Sequence, residues 1–251
     1  MGGSSWSSDA YKNLSNSYAT KSKSAIFTST KLTSTMSPHG IKFRESRDSD
    51  AHPKSLAINL YLDVTGSMGD IPNFLIKEKL GTLMETLIKH GIEHPQVLFG
   101  GIGDQYSDQA PLQVGQFESG TEELNKWLTE LYLEGNGGGQ VKESYLLAWL
   151  FAARHTSIEC FEKRGEKGFL FTIGDERSWD TLDSAFLKNL MGYTQVEDVS
   201  IKELLNEAQR TYHVFHIHAN STQYKNDKKV LDSWRGLLGE RLIILDDTNL
   251  L

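Results

Sequence analysis

A chain of 251 residues, of which 38% are hydrophobic, is long enough to form one domain with a substantial core. The formal net charge is −7 and no basic block of five or more residues occurs, which disfavours nucleic acid as the main partner. One cysteine, Cys160, excludes an intramolecular disulfide. No apolar run approaches the roughly 18 residues that span a bilayer, and the N-terminus lacks the pattern of a secretion signal. We expect a cytoplasmic protein without a membrane partner.

The first part of the chain, residues 1–54, is dense in Ser, Thr and Lys and holds few large apolar residues. Helical spacing of its aromatic and leucine residues predicts a short helix over 10–18. Ala25-Ile26-Phe27 predicts either an edge strand or an anchor in a groove. We interpret residues 1–54 as a Ser/Thr-rich arm or strap and residues 55–251 as the domain. An arm that becomes ordered on a partner is the alternative.

The stretch from Leu56 to Gly69 is the most informative in the chain. It opens as a short apolar run that predicts a buried strand, and the run stops on Asp63. Two hydroxyl residues, Thr65 and Ser67, follow at alternate positions with glycines between and after them. A strand that turns into a helix here gathers hard oxygen ligands at one point. Such oxygens suit Mg²⁺, Mn²⁺ or Ca²⁺ better than a soft metal.

The segments after this stretch alternate between helical and strand patterns. An apolar stripe predicts a helix over 71–90, ended by Gly91. The next three segments are a strand that ends on Asp104, an antiparallel edge strand at 112–117 and a helix at 121–133. A glycine-rich run follows at 135–140. The later segments are a helix at 143–154, a strand at 168–175, an irregular insertion at 176–198, a helix at 199–210, a strand at 212–218, a helix at 227–238 and a strand at 242–245.

This order of elements predicts an α/β fold, with a mostly parallel central sheet, one antiparallel edge strand and helices on both faces. Ligands of such sheets bind beyond the carboxyl ends of the strands. Three acids and one histidine lie at these ends, and they are Asp63, Asp104, Asp175 and His218. We expect the strand-end acids to face solvent.

The segment Asp63-Val64-Thr65-Gly66-Ser67-Met68 resembles the first metal-binding motif of von Willebrand factor A (VWA) domains, Asp-x-Ser/Thr-x-Ser. In that family the motif follows the first central strand and forms a metal-ion-dependent adhesion site (MIDAS). The resemblance covers roughly residues 56–246 and implies the Rossmann-like VWA fold.

The resemblance also implies a ligand set. Thr65 and Ser67 would be direct metal ligands, and Asp63 and Asp175 would be direct or water-bridged carboxylates. Asp104 is expected close enough to join them, and the expected cation is Mg²⁺, with Mn²⁺ or Ca²⁺ as alternatives. The chain departs from the family in its second motif, because no Thr or Ser stands within residues 135–140. An amide oxygen of Asn136 or Gln140, or water, would have to replace that threonine.

Function follows from the same resemblance. In the family, the metal keeps an open position that an acidic side chain of a partner completes, so we expect a metal-dependent protein–protein interaction module rather than an enzyme. The resemblance is to intracellular bacterial or phage members that act in multiprotein assemblies, several of them beside AAA-type ATPases. The expected partner is therefore a protein that presents Asp or Glu, with an AAA-type ATPase as one candidate.

Two other functions remain open from the sequence. The first is a structural or assembly protein with a degenerate metal site, in which the N-terminal arm carries the activity. The second is a serine hydrolase, because Ser67, Asp175 and His218 occur in the order of α/β-hydrolase triads. Thr65 stands where a nucleophile elbow requires glycine, which disfavours the hydrolase. A simpler reading makes Asp63 a helix cap and Asp104 a turn residue.

Overall fold

The structure, a computed structural model, describes residues 4–134 and 142–246. Its first half contains α1 (Ser8–Tyr18), α2 (Lys23–Ile26), β1 (Arg44–Ser46), β2 (Leu56–Asp63), α3 (Ile71–Phe74), a π-helical segment (Leu75–Lys79), α4 (Leu80–Lys89), β3 (Pro95–Ile102), β4 (Leu112–Val114) and α5 (Thr121–Thr129). The second half contains β5 (Lys142–Glu143), α6 (Leu146–Arg154), β6 (Thr156–Ile158), α7 (Glu159–Arg164), β7 (Gly168–Gly174), β8 (Arg177–Ser178), β9 (Thr181–Leu182), α8 (Ser184–Met191), β10 (Val199–Ser200), α9 (Ile201–Thr211), β11 (Tyr212–Ala219), α10 (Lys228–Leu238) and β12 (Leu242–Leu245).

The central sheet has six strands in the order β12-β11-β7-β2-β3-β4. All neighbours are parallel except β4, which pairs antiparallel with β3. Every residue of β2 and β3 is buried, as expected for central parallel strands covered on both faces. The predicted α/β class, with a mostly parallel sheet, an antiparallel edge strand and helices on both faces, is confirmed.

Each face of the sheet packs against its own set of helices. One face carries α6, α9 and α10, and α6 is buried along nearly its whole length from Leu146 to Ala152. The other face carries α1, the segment from α3 to α4, and α5, with Leu80, Met84 and Leu124 fully buried. Burying these apolar side chains on both faces is the main favourable term in the stability of the fold. No helix of the described residues has the length and apolar character needed to cross a membrane.

Two predicted segments differ from the structure. The helix predicted over 71–90 is interrupted, because residues 75–79 form a π-helix between α3 and α4. The segment 176–198, predicted to be irregular, contains β8, β9 and α8, and Asp183 caps α8 by accepting a hydrogen bond from the Phe186 amide. The sequence pattern missed β8 and β9 because each has two residues, too few to show a period.

The N-terminal segment packs along the domain in the described range 4–54. Ile26 and Phe27 are buried, and they lie at the end of α2 rather than in a strand, so the groove-anchor alternative is the one that the structure shows. Helix α1 reaches the π-helical segment, where the Tyr11 hydroxyl donates to the Ile76 carbonyl at 3.3 Å and Ser15 Oγ donates to the Lys77 carbonyl at 2.5 Å. The domain boundary between residues 54 and 55 stays a prediction.

Truncating Tyr11 to alanine is expected to destabilise the fold by about 3 kcal/mol, the usual cost of removing a buried aromatic side chain. The Tyr11 ring is 9% exposed and fills the space above Gly81, where a Cβ atom would collide with it. Urea unfolding followed by circular dichroism measures the change. Lys12→Ala on the same helix, at a residue exposed to solvent, is the control and should change stability by less than about 0.5 kcal/mol.

Candidate metal centre

The candidate site lies where the carboxyl ends of β2 and β7 meet. These strands are neighbours in the sheet, with Leu62 opposite Ile173, so the residues that follow them come together. Asp63 is the last residue of β2, and Asp175 follows β7 directly. The parallel arrangement thus brings two carboxylates together that are far apart in the sequence.

An unbroken chain of oxygen atoms joins the four principal residues predicted for the site. Asp63 Oδ1 accepts hydrogen bonds from the Thr65 amide at 2.9 Å and from Thr65 Oγ1 at 2.6 Å. Thr65 Oγ1 lies 3.3 Å from Ser67 Oγ, which donates to Asp175 Oδ1 at 2.8 Å. The structure therefore brings Asp63, Thr65, Ser67 and Asp175 together in one cluster.

Two residues that the sequence analysis did not assign to the site complete its hydrogen bonds. The Tyr145 hydroxyl donates to Asp63 Oδ2 at 2.7 Å, and Thr222 Oγ1 donates to Asp175 Oδ2 at 2.7 Å. Tyr145 fits closely because Gly174 has no side chain, and a Cβ there would overlap the phenol oxygen. Thr222 could have been found from its position just after β11, at the same end of the sheet. Tyr145 could not, because it stands in an apolar helical pattern that indicates only core packing.

Both carboxylates are fully buried, with 0% exposure, so the expectation that these strand-end acids face solvent is wrong. Tyr145, which precedes α6, and Thr222, in the loop after β11, pack against the two carboxylates. Burial and the neighbouring charge of Asp175 raise the pKa of Asp63 to about 7, although hydrogen bonds from Thr65 and Tyr145 lower it. Without a cation, the site therefore holds protons near neutral pH.

The cluster of buried carboxyl groups extends beyond these two acids. Burial, followed by the charge of Asp63, raises the pKa of Glu176 to about 8 and that of Glu143 to about 11. None of the ion pairs formed by residues 4–134 and 142–246 involves Asp63, Asp175, Glu143 or Glu176. A buried anionic cluster of this kind is stabilised either by protons or by a bound cation.

Asp104 lies outside the chain of oxygen atoms. It is 2% exposed and accepts hydrogen bonds from Trp179 Nε1 at 2.8 Å, from Ser107 Oγ at 2.9 Å and from the Tyr106 amide at 3.3 Å. These bonds organise its own loop, as the turn interpretation predicts, and none of them reaches Thr65 or Ser67. The second-motif candidates Asn136 and Gln140 fall outside the described residues.

The donor set suits a hard cation. All contributing atoms are carboxylate or hydroxyl oxygens, which Mg²⁺ and Ca²⁺ prefer. Each hydroxyl in the chain can give its proton to a carboxylate, which leaves its lone pairs available to a metal. Within the described residues, no three His, Cys, Asp or Glu side chains are arranged to hold a metal ion. A cation bound here would therefore use the hydroxyl oxygens of Thr65 and Ser67 beside the two carboxylates.

The geometry of a serine hydrolase is not formed by the same residues. A triad requires a histidine that accepts the serine proton and donates to the acid. Ser67 Oγ instead donates directly to Asp175, and neither ring nitrogen of His218 forms a hydrogen bond with Ser67 or Asp175. His218 is fully buried in β11, and burial lowers its pKa.

Replacing Tyr145 with phenylalanine is expected to weaken Mg²⁺ binding at about pH 7 by about tenfold. In the wild type, the hydrogen bond from Tyr145 lowers the pKa of Asp63. Removing this bond raises the pKa, so more of Asp63 is protonated and unable to bind a cation. Isothermal titration calorimetry at neutral and alkaline pH should show a deficit that shrinks as pH rises. Tyr212→Phe, at a buried tyrosine that bonds to Thr156 instead, is the control. Equal affinity in both variants would contradict the assigned role.

Comparison with known proteins yields structural matches but no sequence family. No family model matches the chain, and no match is found among curated proteins. The chain is similar to the pilus adhesin SpaC from Lactobacillus rhamnosus GG in its open conformation, with 11% identity and a TM-score of 0.48 over 82% of this chain and 29% of that chain. A second crystal structure of this adhesin gives 12% identity and a TM-score of 0.45 over 82% of this chain and 30% of that one. The chain thus spans less than a third of the length of these solved chains.

Proposed function

We propose that residues 56–246 form a VWA-type module that binds Mg²⁺ and, through it, an acidic group of a partner protein. The observation that carries the proposal is the continuous chain of oxygen atoms from Asp63 to Asp175. Both carboxylates are buried, Ser67 is half-buried, and no cationic side chain of the described residues is paired with either acid. The order of the strands in the sheet, and the Asp-x-Thr-x-Ser motif that begins at the end of β2, support the same proposal.

Each residue of the cluster has a definite part in this proposal. Thr65 and Ser67 would hold the ion through their hydroxyl oxygens, with Asp63 and Asp175 balancing its charge directly or through water. Mn²⁺ and Ca²⁺ are alternatives with the same preference for oxygen ligands. When bound, the ion would supply an open coordination position to a carboxylate. Tyr145 and Thr222 would hold the two acids in position through hydrogen bonds to Oδ2 of Asp63 and Oδ2 of Asp175.

The surface around the cluster has features of an interaction site. Tyr106 is 62% exposed and stacks edge-on against Trp179 with ring centroids 4.7 Å apart. Trp179 is anchored in turn by its hydrogen bond to Asp104. Aromatic side chains that are exposed yet held rigidly are common in protein interfaces. We propose that this pair forms part of the rim against which the partner packs.

The partner and the cellular setting are proposed on the basis of charge and resemblance. The net charge of −7 disfavours nucleic acid, and a cation at the centre of an acidic site favours a partner that presents Asp or Glu. We propose a non-enzymatic role in an intracellular bacterial or phage assembly, with an AAA-type ATPase as a candidate partner.

A titration in two stages tests the proposal. Calorimetry first measures Mg²⁺ binding to the metal-free protein, and fluorescence anisotropy then compares an acidic peptide with the same peptide in which amides replace the carboxyl groups. We expect Mg²⁺ to bind with a stoichiometry of one, and the acidic peptide to bind only when Mg²⁺ is present. Absence of Mg²⁺, Mn²⁺ and Ca²⁺ binding would refute the metal site. Peptide binding unaffected by a chelator would refute the role of the metal in recognition.

A further inference from the structure

A small pocket lies between the N-terminal segment and the motif turn, residues 65–69. Its wall includes Lys23 of that segment and three residues of the turn, which are Thr65, Gly66 and Gly69. Its volume is about 120 Å³, space for about four water molecules at roughly 30 Å³ each. The end of an acidic side chain fits such a volume, but a peptide strand does not. Because Thr65 is one of the two hydroxyl residues proposed to hold the ion, a group in this pocket lies beside the metal.

Lys23 is the charged side chain in the described wall of this pocket. Its Nζ donates to the Gly69 carbonyl at 2.8 Å and lies 3.4 Å from a carboxylate oxygen of Asp70. The side chains of Lys23 and Asp70 are 41% and 80% exposed, so water and salt weaken this ion pair. A lysine ammonium has three donor hydrogens. Lys23 can therefore bind a second acid without losing its bond to Gly69.

The fold fixes Lys23 at the edge of the pocket. Lys23 begins the short helix α2, which Ser22 caps, and at its end Ile26 and Phe27 are buried. On the other side, Gly69 has a φ of 54° and a ψ of −116°, a backbone conformation that residues with a Cβ atom rarely adopt. The Gly69 carbonyl accepts the bond from Lys23 in this conformation. A lysine held in this way loses less conformational freedom on binding than one on a free arm.

The charges around the pocket favour a carboxylate once a cation is bound. Without a cation, the buried carboxyl groups of Asp63 and Asp175 repel a second acid whenever they are ionised. A bound divalent cation offsets their charge, and the Lys23 ammonium then adds a positive charge beside Thr65. A carboxylate has two oxygen atoms and can accept from two cationic groups at once. An amide of the same shape carries no charge and has one such oxygen.

We propose that Lys23 is a second anchor for the acidic group of the partner, and that the N-terminal segment is thereby part of the recognition site. This inference rests on the proposed function, since it needs an acid bound to the metal. One carboxylate oxygen completes the coordination of the ion, and the other accepts a hydrogen bond from Lys23 Nζ. Asp70 competes for the same ammonium. Lys23 thus strengthens the preference for a carboxylate over the corresponding amide.

Fluorescence anisotropy on the full chain at saturating Mg²⁺ tests this role, with a labelled peptide that carries a single Asp as the probe. Lys23→Gln should weaken peptide binding about tenfold, because a charge-assisted hydrogen bond is lost. Lys23→Arg keeps the positive charge and should recover most of the affinity. Lys31→Gln is the matched control, at an exposed lysine of the same segment outside the wall of the pocket. Equal affinities of Lys23→Gln and Lys31→Gln would overturn the inference.

Calorimetry with Mg²⁺ separates this inference from the proposed function. Lys23→Gln should bind Mg²⁺ at least as tightly as the wild type, because the contacts of Lys23 are with Gly69 and Asp70 and its charge repels the ion. A loss of Mg²⁺ affinity in this variant would show that Lys23 acts through the metal centre, and would overturn the inference. A wild type that binds neither Mg²⁺ nor the peptide refutes the proposed function and the inference together. Peptide binding that needs Mg²⁺ but not Lys23 refutes the inference alone.

Removing the competing acid gives a test of the opposite sign. Asp70→Asn should strengthen peptide binding about twofold to threefold, a small effect because the pair that it breaks is exposed. The side chain of Asp70 makes no capping bond to α3, so we expect the fold to tolerate the change. In a Lys23→Gln background, the same substitution should have little effect, because the two residues act on one ammonium. Equal gains in both backgrounds would contradict a role for Lys23 in binding the acid.

Discussion

Asp63→Asn is expected to abolish Mg²⁺ binding while leaving the fold intact. Asparagine preserves the shape of the side chain and one carbonyl oxygen to accept from Thr65, but it removes the negative charge nearest the motif. We expect the affinity for Mg²⁺ to fall by at least about 100-fold, equivalent to about 2.7 kcal/mol. Calorimetry at about pH 8, where most of wild-type Asp63 is ionised, gives the largest contrast.

The same substitution is expected to stabilise the metal-free protein at about pH 8. A buried, ionised Asp63 beside Asp175 opposes folding, and asparagine relieves that repulsion. Asp104→Asn is the matched control, because Asp104 is also a buried acid beyond a strand end but lies outside the chain of oxygen atoms. It should leave Mg²⁺ affinity within about twofold of the wild type. Similar losses of affinity in both variants would mean that the cation is bound elsewhere.

The stability of the metal-free protein is expected to fall as the pH rises from about 7 to 9, and Mg²⁺ is expected to reverse the fall. Burial raises the pKa values of Asp63, Glu176 and Glu143 to about 7, 8 and 11 in the fold, above the ordinary values of 3.8 for Asp and 4.5 for Glu. A raised carboxyl pKa contributes stability that is fully present below the unfolded pKa and is lost as the pH rises through the folded value. The loss therefore begins above about pH 4, ends near pH 7 for Asp63, and continues to about pH 8 for Glu176 and about pH 11 for Glu143.

The expected loss between pH 7 and 9 is on the order of 4 kcal/mol, because Glu143 loses about two units and Glu176 about one unit of pKa-linked stability, and each unit corresponds to about 1.4 kcal/mol. For a chain of this size, that lowers the unfolding midpoint by about 8–16 °C.

Differential scanning calorimetry with Mg²⁺ or with a chelator measures the effect. The stabilisation by Mg²⁺ should grow with pH, because the cation replaces the protons that the acids otherwise retain. Asp63→Asn should show a flatter pH dependence and no response to Mg²⁺. A wild-type midpoint that is constant from neutral to alkaline pH would show that these acids are paired with a cation of the protein itself.

The sequence predicted the parts of the site that depend on strand ends. Parallel strands align their carboxyl ends, and Asp63 and Asp175 could be assigned in this way. The same rule failed for Asp104, which follows the neighbouring strand β3 but bonds to Trp179 and its own loop. Tyr145 could not be assigned, because its position in an apolar helical pattern indicates core packing and says nothing of where the hydroxyl points. Burial of both acids was also missed, since it depends on residues from distant segments, such as Tyr145 and Thr222, that pack against them.

The π-helix could not be predicted from the periodicity of apolar residues, because it too depends on contacts with a distant segment. Its apolar residues continue the stripe of the flanking helices, so the local pattern indicates one uninterrupted helix over 71–90. What distinguishes the segment is tertiary: hydroxyls of α1, some 60 residues earlier, donate to the carbonyls of Ile76 and Lys77. A wider turn within a helix persists only where surrounding contacts favour it.

The N-terminal segment has a consequence for motion near the metal motif. Lys23 Nζ donates to the Gly69 carbonyl at 2.8 Å, while α1 holds the π-helical turn a few residues further on. Any transient detachment of residues 4–27 would free both contacts together. Amide hydrogens of the segment 65–80 should then exchange with deuterium in step with those of α1, as a single cooperative unit.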